Sequence, residues 1–249
     1  MNAVIMAGGK GERLRPLTDK CPKPLMPVAD VPLIDRIVRH LKDYGIESIA
    51  ITLSYHADMI IEELTKSFDY DFRFFIEQSP LGTAGGVRAA AADFVEPFLV
   101  VSGDALTDFS IAEMRQAHNA LRADMTMAVT HVSDTAQYGV VMPGDGNRIR
   151  GFWEKPAAGA CASDLINCGI YIINPRVLQM IPETGTYDFS RDLFPAMLNR
   201  GMSLFYHDIG GSYWTDIGSV SSYFRANDDI LGGKCRGRQN TGYNTFYPV

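Results

Sequence analysis

Apolar residues follow two rhythms in the first half of this chain. Short β-favouring runs alternate with segments whose apolar positions recur every three or four residues, the pattern of βαβ units around a mostly parallel sheet. The runs predict strands over Asn2 to Ala7, Ser48 to Ser54, Phe72 to Glu77, Phe98 to Ser102 and Met125 to Val132. Leu33, Ile34, Ile37, Val38 and Leu41 trace one face of a helix that Gly45 is placed to end. His56 to Lys66 reads as a second helix, and Thr83 to Ala92 as a small-residue helix able to pack closely on a sheet. Ser110 and Glu113 form a capping box opening a helix to about Leu121.

The rhythm changes near Tyr138. Shorter strands, Val140 to Met142, Ile149 to Glu154 and Asn167 to Ile173, surround a Gly144-Asp145-Gly146-Asn147 turn and precede helices near Pro175 to Met180 and Ser190 to Asn199. A late strand, Leu204 to Ile209, and a helix from about Ser219 to Ile230 follow. This divides residues 1–232 into a core of about 1–137 and a smaller α+β lobe of about 138–232. From Gly233 to Val249 apolar periodicity is lost and Lys234, Arg236 and Arg238 appear, a tail with no assigned role.

Composition narrows the class. With 249 residues, 46% hydrophobic and 21% charged, the chain can bury a real core and matches neither a disordered nor a fibrous protein. No apolar run approaches the roughly 18 residues of a membrane span, and the N-terminus lacks a signal-peptide pattern, so a soluble cytoplasmic protein is expected. A formal charge of −6 argues against a nucleic-acid or anionic-membrane partner. Cys21, Cys161, Cys168 and Cys235 show no metal or redox spacing and read as reduced.

Against that acidic background, residues 10–23 hold Lys10, Arg13, Arg15, Lys20 and Lys23 and only two acids, Glu12 and Asp19, where the chain average would give about 1.3 basic groups. Gly8, Gly9 and Gly11 let backbone N–H groups approach an anion. A polyphosphate ligand explains both features. The spacing excludes a Walker A loop, which needs G-x-x-x-x-G-K-[ST], and the dinucleotide fingerprint, because Leu14 stands where its third glycine belongs.

The string Gly8-Gly9-x-Gly11-x-Arg13-Leu14-x-Pro16-Leu17-Thr18, then Pro22-Lys23-Pro24-Leu25, resembles the N-terminal signature of the sugar-phosphate nucleotidylyltransferases. Further matches follow in order: Glu77-Gln78-x-x-Leu81-Gly82-Thr83-Ala84-Gly85-Gly86, Ser102-Gly103-Asp104, Tyr138-Gly139, Glu154-Lys155-Pro156, Asn167-x-Gly169-x-Tyr171 and Trp214-x-Asp216-Ile217-Gly218. The likeness spans about residues 1–232 and is nearest to the catalytic domain of bacterial guanylyltransferases acting on mannose 1-phosphate.

That resemblance implies a Rossmann-like, doubly wound mixed α/β sheet of the nucleotide-diphospho-sugar transferase type, with the smaller lobe binding sugar. It implies Mg²⁺-dependent transfer of a nucleotidyl group from a nucleoside triphosphate to a sugar 1-phosphate, with Asp104 and Asp216 as metal ligands. Arg13 would clamp the triphosphate, Lys23 would neutralise charge at the α-phosphorus, and Lys155 would neutralise the sugar phosphate. Ala7, Gly8, Gly9, Gln78, Gly82 and Thr83 would contact the nucleotide; Gly139, Glu154 and Asn167 would bind the sugar. A buried Gln or Asn can equally serve main-chain groups. GTP with mannose 1-phosphate is the first expected pair, with uridylyl, thymidylyl, adenylyl or cytidylyl transfer to glucose 1-phosphate or another sugar phosphate as the alternative. A regulatory subunit that binds sugar nucleotide without turnover is the non-enzyme alternative. The late helix and tail leave a homo-oligomer open. The five histidines lack zinc spacing, and Ser102 lacks a hydrolase elbow.

Overall fold

The structure, a computed structural model, describes residues 1–157 and 159–235. The strands are β1 (Ala3–Met6), β2 (Pro27–Val28), β3 (Val31–Pro32), β4 (Ile49–Leu53), β5 (Phe72–Ile76), β6 (Phe98–Ser102), β7 (Ala105–Thr107), β8 (Met125–His131), β9 (Gly139–Pro143), β10 (Ile149–Glu154), β11 (Leu165–Ile173), β12 (Leu204–Asp208) and β13 (Trp214–Asp216). The α-helices are α1 (Leu33–Asp43), α2 (Ala57–Ser67), α3 (Gly82–Ala90), α4 (Ile111–Leu121), α5 (Phe194–Asn199) and α6 (Val220–Leu231).

Among the described residues, nine strands form one mixed sheet. Its main path runs β10-β9-β11-β6-β1-β4-β5, and β8 pairs with β11 and β12. β1 lies parallel between β4 and β6. The chain winds outward from β1 through β4 to β5 and then returns to place β6 on the other side of β1. The carboxyl ends of β1 and β6 therefore flank a topological switch point, where open α/β sheets bind ligands. The strands after residue 138 extend this same sheet by antiparallel pairing of β11 with β6, β8 and β9.

Alternate residues of the central strands face opposite layers, as a two-residue period requires. Ala3, Ile5, Ile49, Ile51, Leu99 and Val101 pack in one core with apolar residues of α1, α2, α4 and α6. Val4, Ala50 and Val100 point the other way, against Ala84, Val87 and Ala90 of α3 and the Phe189, Leu193, Phe194 cluster. Helices on both faces make the sheet doubly wound.

Several expected elements take other forms. The helix expected over Ser190 to Asn199 is a π turn, Phe189–Leu193, running into α5, and Pro175–Met180 is a 3-10 turn. Ser110 Oγ accepts from Glu113 N at 3.3 Å as an N-cap, but the reciprocal capping box closes at Ser219 and Ser222 instead. The ribbons β2–β3 and β7–β13, with two and three paired positions, are too short to show periodicity. At the start of the expected tail, Lys234 pairs with Asp229 at 2.6 Å and Cys235 is buried. Arg236 and Arg238 lie outside the described residues.

Candidate active site

At the switch point lies a cavity of about 990 Å³, walled by the loop after β1, the Lys23 turn, the β5–α3 connection, Ser102 to Asp104, and Asp188. The loop is held from several sides. Ser54 Oγ donates to Gly8 O at 2.6 Å, Thr18 Oγ1 donates to Gly11 O at 2.9 Å, and Gly103 N donates to Met6 O at 2.9 Å. Gly11 adopts φ +64°, a left-handed conformation that starts the 3-10 turn Glu12–Leu14 and that L side chains rarely take. Beside Gly9 the space is open.

Lys10, Arg13 and Lys23 line the cavity, whereas Arg15 turns away to pair with Asp19 at 3.4 Å and Lys20 does not line it. The expected basic cluster therefore contributes three of its five cations; Arg13 lies inside the 3-10 turn, whereas Arg15 follows it in a non-helical conformation.

Lys23 bonds directly to Asp104 Oδ2, and Ser102 Oγ donates to Asp104 Oδ1 at 2.6 Å. Burial pushes the Asp104 carboxyl up, but the Lys23 ammonium, the Ser102 hydroxyl and Arg13 outweigh it and hold it below the usual range. The β7–β13 ribbon brings Asp216 to the same place: Asp216 pairs in register with Ala105, and Ile217 N donates to Asp104 O at 3.1 Å. Asp216 moves the opposite way, raised by burial and by the charge of Asp104 against the pull of Lys23 and Arg13. A side chain at Gly218 would meet both Asp216 and Arg13, so these groups enclose one small space. Two carboxylates are the oxygen donors offered here to a cation.

The α3 end of the cavity is closed by a strap, residues 186–189. Tyr187 N donates to Leu81 O at 2.8 Å, and Tyr187 O accepts from Ala84 N and Gly85 N, each at 3.0 Å. Gly82 adopts φ +75°, and a Cβ there would sit 2.7 Å from Tyr187 O. Gln78, Gly82 and Thr83 line the cavity with Ala7, Gly8 and Gly9. Thr83, however, spends its polar atoms on the strap: its N and Oγ1 donate to Asp188 Oδ1 at 3.1 and 3.0 Å, and Oγ1 accepts from Phe189 N at 3.0 Å.

Gly139, Glu154, Lys155, Asn167 and Asp216 are not among the residues walling that cavity. Glu154 is directly opposite Gly139 in the β9–β10 pair, and a Cβ at Gly139 would collide with the Phe152 ring and crowd Glu154. Lys155, at φ +46°, holds its Nζ 3.7 Å from Glu154 and is half exposed. Asn167 serves its own strand irregularity, accepting from Gly169 N at 2.9 Å and donating to Tyr171 Oη at 2.8 Å. Tyr171 is buried, and burial pushes its hydroxyl well above the ordinary value; it also feels the charges of Glu154 and Asp104, which joins this side electrostatically to the carboxylate pair. Cys168 is packed, and burial raises its thiol well above the ordinary value.

Glu77 and Asp188 are cavity residues that sequence reasoning missed. Glu77 Oε2 accepts from Leu81 N at 3.2 Å and shapes the loop from below. Its place beside Gln78 was a usable signal; nothing in the local sequence marks Asp188, which reaches the site only through the fold.

The nucleotidyl transferase family model matches residues 2–233. The chain belongs to this family. Among nucleotidyl transferase relatives, a mannose-1-phosphate guanylyltransferase of Mycobacterium tuberculosis is 31% identical, over 94% of this chain and 65% of its own length. A UTP–glucose-1-phosphate uridylyltransferase of Synechocystis is 32% identical, over 97% of this chain and 66% of its own length. The chain thus spans just under two thirds of these curated relatives. HddC from Yersinia pseudotuberculosis, solved also in complex with GMP-PN, is 27% identical and covers 92% of this chain and 99% of its own, with TM-scores of 0.78 and 0.77. These matches agree with the resemblance carried by the motifs. Among the described residues no helix is long and apolar enough to cross a membrane.

Proposed function

We propose that this protein is a Mg²⁺-dependent sugar-1-phosphate nucleotidylyltransferase that joins GTP and mannose 1-phosphate to give GDP-mannose and pyrophosphate. The observation that carries the reading is Lys23 bonded to Asp104 at the switch point, with Arg13 and Asp216 enclosing the same space. A nucleotidyl transfer needs this mixture of charges, because two anions must meet while negative charge grows on a leaving pyrophosphate.

In this mechanism the cavity takes the triphosphate, with the glycine loop against its backbone and Arg13 and Lys10 on the phosphates. Arg13 presents a planar fork suited to paired phosphate oxygens. Lys23 counters charge at the α-phosphorus as the sugar phosphate oxygen attacks in line and pyrophosphate leaves. Lys155 meets the sugar phosphate, with Glu154 and Asn167 at the sugar hydroxyls. Such catalysis is positioning plus electrostatics, with no covalent enzyme intermediate.

Asp104 and Asp216 fit a divalent cation. They are hard oxygen donors brought together by the β7–β13 ribbon, and the charge of one raises the pKa of the other. Mg²⁺ prefers oxygen ligands, takes few from the protein, and would supply neutralisation of phosphate charge.

The choice of base and sugar rests on the Leu81-Gly82-Thr83-Ala84-Gly85 pattern, on the guanylyltransferase relative and on the GMP-PN complex of HddC. Uridylyl transfer to glucose 1-phosphate is the second reading, favoured by the Synechocystis relative. Pyrophosphate release measured across ATP, CTP, GTP, UTP and dTTP with several sugar 1-phosphates tests both. Release confined to GTP with mannose 1-phosphate is expected. Another productive pair would move the specificity, and silence across the grid with sugar nucleotide still bound would favour a regulatory subunit.

A further inference from the structure

The strap over α3 does more than hold a loop. Together with Glu77 it engages five hydrogen-bond donors at the α3 end of the cavity: Leu81 N goes to Glu77, Thr83 N and Oγ1 to Asp188, and Ala84 N and Gly85 N to Tyr187 O. The positive end of α3 is therefore spent on protein acceptors before any ligand arrives. Asp188 itself stands on the cavity wall. Its side chain makes no cap to the π turn that follows it, while its N–H is held by Asp192 Oδ2 at 2.7 Å. Oδ1 is filled by Thr83, and Oδ2 accepts no hydrogen bond from any described residue.

Asp188, a residue of the cavity wall, thus keeps one carboxylate oxygen without a described partner, on a strap packed against the same face of the sheet as α3. A carboxylate accepts and repels other acceptors. Uracil and thymine offer carbonyl oxygens on either side of a single N–H. Guanine offers two adjacent donors, N1–H and the exocyclic 2-amino group.

We propose that Asp188 is a base-selecting residue whose Oδ2 accepts from the 2-amino group of guanine, so that the strap admits guanine and turns away bases with an acceptor there. This rests on the nucleotidyl-transfer reading above and adds the group that distinguishes the base. It also gives the strap two duties, since the atom facing Thr83 and the atom facing the ligand belong to one carboxylate.

The test is steady-state pyrophosphate release with mannose 1-phosphate, comparing GTP with inosine triphosphate, which lacks only the 2-amino group, and with UTP. Wild-type kcat/KM is expected to favour GTP over inosine triphosphate by about tenfold or more, the scale of one hydrogen bond to a charged acceptor. Asp188→Asn should bring that ratio to within about twofold and narrow the margin over UTP, with KM for mannose 1-phosphate unchanged. Equal use of GTP and inosine triphosphate by the wild type would overturn the assignment and needs no variant. Equal losses on both nucleotides in Asp188→Asn would also overturn it, leaving Asp188 only a clamp on Thr83. Preference of the wild type for UTP or dTTP over GTP would overturn the guanine reading of the enzyme itself, a result distinct from the other two.

Discussion

The two halves of the site are built differently. The half proposed to take the nucleotide lies where parallel strands end, and its main chain is tied down on several sides: the β1 loop by the Ser54 and Thr18 hydroxyls and by Gly103 N, and the α3 entrance by the Tyr187 main chain. The half proposed to take the sugar phosphate lies on an antiparallel extension of the same sheet and offers long side chains, with Lys155 half exposed and 3.7 Å from its partner Glu154. A wall of backbone is organised before its ligand arrives. Long side chains must be immobilised on binding, at a cost of about 0.5–1.5 kcal/mol each. In the proposed reaction, one sheet would thus carry a rigid receptor for one anion and an adjustable one for the other.

Substitutions can break that contrast. The largest effect is expected where the halves meet: Asp104→Asn and Asp216→Asn should each lower kcat by at least about 10²-fold, the scale of one preorganised electrostatic group. Wild-type turnover in both would remove the carboxylate pair from the mechanism. On the rigid side, Gly82→Ala forces a Cβ against the Tyr187 main chain at φ +75°. KM for the nucleotide should rise about tenfold and Tm should fall by several degrees, since such strain costs of order 1–3 kcal/mol. An unchanged Tm and KM would show that the strap yields freely. On the adjustable side, Lys155→Ala should raise KM for the sugar phosphate several-fold, about 1 kcal/mol, without moving Tm. A shift in nucleotide KM alone would reassign that lysine.

The smallest effect separates scaffold from site. Burial and the charge of Glu63 push the Asp35 carboxyl to about 7, against the pull of Arg39 and Ser67, and Asp35 Oδ1 is buried without a partner. The folded state then holds more protons than the unfolded chain between about pH 4 and 7, so stability falls as pH rises across that window. Asp35→Asn removes the penalty. Its Tm should gain a few degrees over wild type at pH 8 and nothing at pH 4, with kcat unaltered; a gain independent of pH would refute the cause.

The repeating part of the molecule was legible because burial imposes a period. β1, β4 and β6 and the α1 face are visible as apolar rhythm in the sequence, and the glycine-basic loop stands out from an acidic chain. The rest depends on distance along the chain. β7 and β13 pair only three residues each, so no rhythm announces that Asp104 and Asp216 adjoin. Thr83 and Asp188 bond across 105 positions, and Arg15 was indistinguishable from Arg13 until a 3-10 turn separated them. Asn167 showed the opposite limit: its motif was plain, but its bonds to Gly169 and Tyr171 required the strand irregularity.

The β7–β13 ribbon also sets an order of assembly. The last strand of the large sheet ends at Asp208, whereas the second carboxylate arrives with Trp214–Asp216. During synthesis the large sheet can form before Asp216 has left the ribosome, whereas Gly218 of the cavity wall follows it. A chain stopped at Asp208 would carry the whole sheet and a single carboxylate. On the proposed reading, ligand contacts on the β1 loop can form, and add stability, before the carboxylate pair is complete.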